Sequence, residues 1–433
     1  MFLLVLWSNY NFFVRSCYKA TTLKKIKTNK LKILNDPIYG FISIPNSLIF
    51  DIIEHRYFQR LRRVSQMGLS NLVYPGANHT RFHHALGCMH LMQKAVAVLR
   101  NKNVVISDEE ANALYLAILL HDIGHGAFSH ALEHSIVNEI SHEEISLKFM
   151  KKLNKEFEGK LSLAIEVFEG KYHRPFLCQL ISSQLDIDRL DYLKRDSFYT
   201  GVAEGNISSD RLIAMMNVKE EQLVIEQKGI YSVEKFIIAR RLMYWQVYLH
   251  KTGLVAENML VMVLKRAKEL AKEKVVLCGS KAFRYFLYNE ISEDNFTEET
   301  LEVFSKLDDY DILAAIKEWE NHSDEVLSRL SKMLIYRNLL KIKIQDKPFD
   351  KTYVKDVMKK NKIVGVSDKN LHYFLFAKEV SNQAYDKKKP IRILGKEGSM
   401  TAITNVSDQL SLQALTKPVV KYYFCYTKDM ILD

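Results

Sequence analysis

Cysteine is scarce in this sequence of 433 residues, and its five copies stand far apart. Their number is odd and no two form a Cys-x-x-Cys pair, so the pattern indicates neither a disulfide framework nor a zinc knuckle. A reducing cytoplasm is therefore the compartment that we expect. The five are Cys17, Cys88, Cys178, Cys278 and Cys425.

Long apolar runs, internal repeats and low-complexity tracts are also missing. Residues 1–6 are wholly apolar, but no basic residue precedes them, and the run is well short of the roughly 20 apolar residues that span a membrane. We predict that residues 1–30 form an extension outside the folded core and that the protein has no membrane partner.

The remaining composition is that of a folded globular protein, with 48% hydrophobic and 26% charged residues. This balance excludes disorder as the main state. The formal net charge of +11 favours anionic partners. Because Lys and Arg are scattered along the chain, nucleotides, nucleic acid and acidic surfaces all fit this charge.

Hydrophobic periodicity predicts a mostly α fold with small β-hairpins. Two short strands lie near Leu31–Leu34 and Phe41–Pro45, and a hairpin at Gln222–Tyr231 interrupts the helices. Further β-like runs, Ile391–Leu394 and Val419–Phe424, follow in the last part of the chain. The predicted helices cover residues 47–67, 82–100, 109–121, 142–157, 161–169, 176–195, 208–216, 232–272, 281–290, 297–305, 309–319 and 323–340.

These elements predict three regions along the chain. Residues 1–30 are the extension, residues 31–275 form a helical core, and residues 276–433 form a C-terminal region that is helical first and α+β after a second boundary near residue 345. The predicted fold is thus a helical core with a C-terminal α+β appendage.

The run His121-Asp122-Ile123-Gly124-His125-Gly126 directly follows a buried apolar helix that ends at Leu120. Adjacent imidazole and carboxylate groups are costly to bury without partners, whereas a divalent cation binds both at once. The glycines at 124 and 126 allow a sharp turn and the close approach of a large group such as a phosphate. The run therefore predicts a metal site.

Two further segments offer ligands for such a site. The first is Arg81-Phe82-His83-His84, which opens a predicted helix, and the second is Asp186–Tyr192, in which Asp188 and Asp191 share a helix face. Two imidazoles and two carboxylates suit Mn, Fe, Zn, Co or Ni and, with weaker preference, Mg.

In the order His84, His121-Asp122 and Asp188, the sequence resembles the HD-domain metal-dependent phosphohydrolases. The flanking segments are similar to the branch that hydrolyses deoxynucleoside triphosphates (dNTPs) to deoxynucleoside and triphosphate. They are Asn35–Gly40, Phe58–Arg62, Tyr74–Ala77 with Arg81-Phe82, His121–His130, Asp188–Tyr192 and Tyr248–Lys251, with a fainter match at Tyr336–Leu339.

The resemblance implies an HD-domain helical core in which His84, His121, Asp122 and Asp188 bind the metal. A divalent ion lowers the pKa of its water from about 15.7 toward roughly 7 and polarises a phosphoryl oxygen. In this family the attack falls on the α-phosphorus. The implied catalytic residues are His125 and His142, one of which protonates the leaving 5′ oxygen, with Glu133 orienting such a histidine and His130 in the pocket.

The resemblance also implies a binding site for a nucleotide substrate, with dNTP as the expected class. Cations at Arg81, Arg189, Arg240 and Lys251 fall at or near positions that contact phosphates. Positions that hold the sugar 3′-hydroxyl match Gln66, Tyr192 and Asp196, and Tyr248 matches the aromatic residue under the sugar that leaves no room for a 2′-hydroxyl.

Tetrameric members of the family also carry regulatory nucleotide sites, so the resemblance implies a homo-oligomer, dimer or tetramer, and leaves a nucleotide activator open. The matching positions fit except that Glu54 stands where a shorter aspartate reads guanine. They are Lys32, Asn35, Glu54, Gln59, Arg62 and Arg337.

Structural roles and other functions compete with these interpretations. Asp191 is more readily explained as a helix-stabilising partner of Arg189 or Arg195, and His83 as an ordinary histidine. A buried salt-bridge network is disfavoured for His121, Asp122 and Asp188, because their carboxylates have no evident basic partner. The competing functions are an HD phosphohydrolase acting on a monophosphate, (p)ppGpp or a phosphodiester, and a nucleic-acid-binding protein that retains the fold.

Overall fold

The computed structural model describes residues 32–128, 140–361, 363, 366–408 and 415–428. Helices dominate this part of the chain, as predicted, and the strands form three small sheets. The helices are α1 Ser47–Glu54, α2 Arg81–Asn101, α3 Asp108–Leu120, α4 His142–Glu156, α5 Ser162–Phe168, α6 Pro175–Ile181, α7 Ile187–Thr200, α8 Ser209–Met215, α9 Ile230–Met243, α10 Lys251–Lys272, α11 Lys281–Tyr288, α12 Glu298–Phe304, α13 Asp309–Trp319, α14 Glu325–Ile335 and α15 Lys351–Lys360.

The first sheet is the predicted N-terminal hairpin. Strand β1 (Ile33–Asp36) pairs antiparallel with β2 (Gly40–Ser43), with Asp36 opposite Gly40. One carboxylate oxygen of Asp36 accepts hydrogen bonds from the backbone N–H groups of Ile38 and Tyr39 at 2.9 and 3.0 Å. Such an Asx turn fixes the loop, and Gly40 takes the positive φ of 72° that follows it.

Helices α2, α3 and α7 form the centre of the molecule, because α2 packs against both of the others. Helices α3 and α7 begin at polar caps: the side chain of Ser107 accepts from Glu110 N–H before α3, and the side chain of Asp186 accepts from Arg189 N–H before α7. Residues Leu114–Leu120 are almost all buried, so α3 runs through the core and ends inside it.

Three of the long predicted helices are interrupted. The stretch 47–67 ends its first helix at Glu54, and the ring of His55 accepts from Tyr57 N–H to start a short turn, Arg56–Gln59. Residues 176–195 are split between α6 and α7, because Asp186 caps a new helix. Both breaks occur at polar side chains, His55 and Asp186, that cap the next helix. Apolar periodicity continues across these positions and therefore does not indicate the breaks.

The third interruption lies in the predicted helix 232–272. Helix α9 continues into a π-helical turn, Tyr244–Tyr248, and α10 begins only after the ring of His250 accepts from Thr252 N–H. A π turn inserts one additional residue and reorients the side chains that follow it, and such turns occur often at functional sites.

The predicted hairpin at 222–231 lies earlier in the chain. Strand β3 (Met216–Lys219) pairs with β4 (Gln222–Glu226) across Glu220 and Glu221, which both have positive φ, and residues after Glu226 already belong to helical structure. Two glutamates do not indicate a tight turn in the sequence, so the sequence pattern places the hairpin too far along the chain.

The C-terminal region contributes to two sheets. Strands β7 (Arg392–Leu394) and β8 (Met400–Ala402) extend the β3–β4 hairpin, with β7 parallel to β4. Strand β9 (Val419–Tyr426) pairs antiparallel with β5 (Lys341–Gln345) and β6 (Phe376–Asn382). The β7 and β9 strands match predicted runs, whereas β5, β6, β8 and α15 were not predicted.

One hydrophobic core contains residues from Ile42 to Cys425. The division of the chain near residues 276 and 345 remains a proposal. Among the described residues, no helix is both long and apolar enough to cross a membrane.

Candidate metal centre and active site

Helix α3 delivers His121 and Asp122 to the interior of the protein. His121 is the C-cap of α3, and its Nδ1–H donates to the carbonyl oxygen of Ile118 at 2.6 Å. A carbonyl oxygen can only accept, so Nδ1 carries a proton, and in the neutral ring the lone pair lies on Nε2. That Nε2 is buried and has no hydrogen-bond partner among the described residues.

His84 on α2 is oriented in the same way from the opposite side. Its Nδ1 lies 2.7 Å from a carboxylate oxygen of Asp191, which leaves Nε2 directed at Asp122 and Asp188. The His84 and His121 ring centroids are 5.2 Å apart. The structure thus presents two imidazole Nε2 atoms to one small volume.

Two carboxylates complete this volume. Oxygens of Asp188 lie 3.1 Å from His84 Nε2 and 3.5 Å from His121 Nε2, and oxygens of Asp122 lie 3.7 and 3.3 Å from the same two atoms. The structure therefore brings together the four residues that the sequence singles out as ligands.

These four groups fit a divalent cation. Burial raises the pKa of an isolated carboxyl group, yet His121 and Arg81 beside Asp122, and His121 and His84 beside Asp188, hold the pKa values of both carboxyl groups below their usual range. A bound divalent ion would take the place of the protons that these imidazoles otherwise carry on Nε2. Two ionised carboxylates and an unpartnered imidazole nitrogen form a donor set that a divalent ion satisfies.

Cys88 also lies within this cluster, at 3.5 and 3.6 Å from the two ring nitrogens of His84. A sulfur equidistant from both nitrogens stands beside the ring and not in line with the Nε2 lone pair. Asp122 is the better fourth donor on geometric grounds, because its oxygens lie 3.7 and 3.3 Å from Nε2 of His84 and of His121.

Asp191 has a role that sequence reasoning missed. It does pair with Arg195, one turn away, as the structural interpretation expected, but it also accepts from His84. Burial opposes its ionisation, yet Arg195 and His84 lower the pKa of Asp191 to about 2. Only the contact between α2 and α7 reveals this second partner, since 107 residues separate it from His84.

The turn after Asp122 is held by groups from other elements. Buried Arg60 donates to the carbonyl oxygens of Ile123 and His125 at 2.8 Å each. Gly124 N–H donates to Ser146 Oγ at 2.9 Å, and that hydroxyl donates to the carbonyl of His121 at 2.8 Å.

Packing against a neighbouring helix explains glycine at position 124, whereas the approach of a phosphate to Gly124 and Gly126 stays a prediction. A Cβ at position 124 would lie 2.2 Å from the carbonyl oxygen of His142 and 2.3 Å from the backbone nitrogen of Ser146. The close neighbour of Gly124 is therefore helix α4, and glycine is required for packing.

The two predicted catalytic histidines are in contact. The rings of His125 and His142 stack with centroids 3.8 Å apart, and His125 Nε2 lies 3.4 Å from an oxygen of Asp122. Burial and the charge of Arg81 lower the pKa of His125 to about 3, whereas His142 Nε2 lies 3.3 Å from a carboxylate oxygen of Glu143. The predicted catalytic residues His130 and Glu133 lie outside the described residues.

A second polar cluster lies beside Asp188. Arg189 and Arg240 are both close enough to Tyr192 to oppose the increase in pKa that burial and Tyr244 impose on its hydroxyl. The Nε atoms of both arginines are buried without hydrogen-bond partners among the described residues, and so is Gln66 Oε1.

Asp196 and Tyr248 are joined directly. The hydroxyl of Tyr248 donates to one oxygen of Asp196 at 2.7 Å, and His79 Nε2 lies 2.7 Å from the other. The π-helical turn positions Tyr248 and Tyr244 with ring centroids 5.2 Å apart. His79 is thus a further candidate site residue, which the sequence does not indicate.

Arg81 departs from the sequence-based interpretation. Its guanidinium forms an ion pair with Asp122, so the carboxylates of the site do have a basic partner. Arg189 likewise pairs with Asp186, while Lys251 is exposed at the first position of α10.

The proposed regulatory residues are only partly brought together. Gln59 accepts from Arg62 Nε at 2.8 Å, and Arg337 donates to the carbonyl of Leu72 at 2.8 Å. Exposed residues Lys32, Asn35 and Glu54 share no hydrogen bond with Gln59 or Arg62 in the described part of the chain.

Comparison with known proteins identifies the family. Residues 81–196 match the HD domain and residues 207–278 match the HD associated region. An uncharacterized protein of Bacillus subtilis, YwfO, is 32% identical over 423 residues, which is 94% of each chain. The crystal structure of a phosphohydrolase from Bacteroides thetaiotaomicron superposes with a TM-score of 0.89 at 50% identity and covers 92% of this chain and all of its own. The chain belongs to the HD-domain phosphohydrolases.

This HD-domain phosphohydrolase is also similar to a named enzyme. The deoxynucleoside triphosphate triphosphohydrolase SAMHD1 homolog of Dictyostelium discoideum is 31% identical over 273 residues, which is 58% of this chain. The match covers 52% of that relative's length.

Proposed function

We propose that the protein hydrolyses dNTPs to deoxynucleoside and triphosphate by attack of water on the α-phosphorus. The observation that carries the proposal is that four polar atoms of the candidate site residues are buried and have no hydrogen-bond partner among the described residues: His121 Nε2, Gln66 Oε1, Arg189 Nε and Arg240 Nε. Such atoms are costly to bury, so each is explained by a polar ligand. The similarity to the Dictyostelium enzyme supports a dNTP as that ligand.

In this proposal His84, His121, Asp122 and Asp188 hold one divalent cation. Such an ion supplies Lewis acidity to a phosphoryl oxygen and acidifies bound water. Asp191 and the carbonyl of Ile118 keep both imidazoles in the tautomer that offers Nε2.

The remaining residues bind substrate and move a proton. Arg189 and Arg240 face the triphosphate, together with Arg81 and Lys251, and the guanidinium groups bind oxygens in pairs. Of the stacked histidines, His125 and His142, one protonates the 5′ oxygen as it leaves, and their 3.8 Å centroid separation disfavours a positive charge on both rings. In the same proposal Glu133 orients the protonating histidine and His130 lies in the pocket.

Sugar recognition involves four side chains. Gln66, Tyr192 and Asp196 would hold the 3′-hydroxyl, while the ring of Tyr248 occupies the space that a 2′-hydroxyl needs. The bond from Tyr248 to Asp196 fixes that ring, and burial raises the pKa of Tyr248, so its hydroxyl remains a donor.

The test is hydrolysis by the purified full chain with Mn²⁺ or Mg²⁺ and each dNTP, singly and in pairs. We expect deoxynucleoside and tripolyphosphate in equal amounts, identified by anion-exchange chromatography. Stimulation by a second dNTP would identify a nucleotide activator. Release of pyrophosphate or orthophosphate, or hydrolysis of monophosphates alone, would contradict the proposal.

The variant Asp122→Ala tests the metal centre. It removes one proposed ligand and should abolish both metal content and hydrolysis, while circular dichroism shows an unchanged helical content. Activity that survives in this variant would assign the reaction to another centre.

A further inference from the structure

The N-terminal hairpin is connected to the proposed metal ligand His84 by a continuous chain of buried charged groups. Asp36 in the hairpin accepts from Arg195 Nη1 at 2.8 Å. Arg195 in turn donates to both oxygens of Asp191, at 2.8 and 3.0 Å, and Asp191 contacts His84 Nδ1 at 2.7 Å.

All four side chains are withdrawn from solvent. His84, Asp191 and Arg195 are fully buried, and Asp36 is 7% exposed. In such surroundings charges interact strongly, and an unpaired charge is costly. The loss of one side chain of this chain of contacts should therefore change the positions of its neighbours.

The position of the middle pair is fixed by the backbone of α2. A Cβ at Gly87 would lie 2.1 Å from an oxygen of Asp191 and 2.2 Å from a guanidinium nitrogen of Arg195. The pair is therefore pressed against α2 within one turn of His84. The pair of Asp191 and Arg195 cannot shift toward α2. Without the contact to Asp36, Arg195 could move away from Asp191.

We propose that Asp36 and Arg195 are positioning residues, through which the β1–β2 hairpin sets the affinity of the centre for its metal. The orientation of the His84 ring depends on the position of Asp191, and the position of Asp191 depends on Arg195. Asp36 binds the guanidinium of Arg195 at a third nitrogen. The inference rests on the metal centre of the proposed function.

Asp36→Asn separates the two roles of this side chain. The amide oxygen still accepts from Ile38 and Tyr39, so the turn is kept, while the amide nitrogen replaces the oxygen that faces Arg195. Asp324→Asn is a matched control, because Asp324 also combines a helix cap with an ion pair, to Arg266, outside the centre.

The experiment is titration of the metal-free full chain with Mn²⁺ by calorimetry. We expect Asp36→Asn and Arg195→Lys to raise the dissociation constant roughly tenfold, the size typical of groups that orient a ligand. Asp324→Asn should leave it unchanged. Equal affinities in the wild type, Asp36→Asn and Arg195→Lys would overturn the inference, whereas a wild-type chain that binds no Mn²⁺ would overturn the metal centre itself.

Hydrogen exchange in the wild type tests the same coupling without any variant. Because coupling is reciprocal, Mn²⁺ bound at His84 should slow the exchange of the amides of Ile38 and Tyr39. Unchanged exchange at these two amides, with slower exchange at the ligands, would also overturn the inference.

Discussion

Tyr248 combines a steric and a polar role at the site. Its ring lies near Tyr192 and Tyr244, with centroids 6.0 and 5.2 Å away, and its hydroxyl is bonded to Asp196. Mutation to phenylalanine removes the hydroxyl alone, and mutation to alanine removes the ring as well, so the two roles can be measured separately.

Tyr248→Ala should reduce discrimination against ribonucleotides, because it opens the space that a 2′-hydroxyl needs. We expect the ratio of kcat/KM for a dNTP to that for the matching ribonucleotide to fall at least tenfold. Tyr248→Phe keeps the ring and should retain most of the discrimination while raising KM. Equal ratios in the wild type and Tyr248→Ala would remove Tyr248 from sugar recognition.

Individual residues of the site differed in how far the sequence predicted them. His121 and Asp122 were predictable because their position is set by the helix before them. Asp191 was not, because its local partner Arg195 already explained it. His79 and Arg60 act through contacts with elements far along the chain, and no local pattern indicates such contacts.

At the scale of elements, the packing of the turn after Asp122 against α4 holds the centre together. Gly124 lies directly against the α4 backbone, and the Ser146 hydroxyl links the two through hydrogen bonds. A displacement of α4 would move His142 and Asp122 relative to each other.

Gly124→Ala should therefore destabilise the fold by about 3 kcal/mol, as expected for overpacking against a backbone that cannot yield. It should also weaken Mn²⁺ binding. Gly253→Ala in α10 is the control, because a Cβ there meets no atom within 4 Å apart from the adjacent backbone of its own helix, and a gain of about 0.5–1 kcal/mol is expected. Urea unfolding measures both, and equal effects would show that α4 adapts.

Elements were predicted where apolar periodicity and capping agreed, as in α3 and α4, which begin at a capping box. The breaks at Ser182 and at Tyr244–Tyr248 were missed because neither proline nor glycine marks them. In the C-terminal region, short strands such as β8 owe their pairing to distant partners, which local sequence does not encode.

At the scale of the whole molecule, the proposed ion would bind side chains that α2, α3 and α7 bring together. A ligand that binds the folded state alone adds to its stability by mass action. The proposed ion should therefore contribute to global stability as well as to catalysis.

Removal of the metal should lower the melting temperature of the protein. At a free Mn²⁺ concentration of 100 times Kd, binding adds about 2.7 kcal/mol to the free energy of unfolding. Scanning calorimetry with Mn²⁺ and with a chelator should show this difference, and Asp122→Ala should show none. An identical melting temperature under both conditions in the wild type would contradict a metal bound by the fold.

The ion pair between Arg266 and Asp324 joins α10 to the start of α14 and gives stability a dependence on pH. Burial opposes the ionisation of Asp324, but Arg266 and Leu327 N–H lower its pKa below the unfolded value of about 3.9. The stabilisation is thus complete above that value and is lost as pH falls through the lowered pKa.

Asp324→Asn should cost about 1 kcal/mol at pH 7, because it removes a charge-assisted bond but keeps the helix cap. The difference from the wild type should shrink as pH falls below about 4, where the carboxyl becomes protonated. Urea unfolding at pH 7, 5 and 3.5 in the presence of chelator measures it. A difference that is independent of pH would assign the loss to packing.

Because α3 ends at Leu120 and His121 follows as its cap, the length of this helix fixes where the site lies. Each added residue advances a helix by 1.5 Å and turns it by about 100°, so one insertion within Asp108–Leu120 would direct both ligands into the apolar core. Length variation among homologues should therefore fall in the connection that precedes Ser107, and α3 itself should keep thirteen residues in all of them.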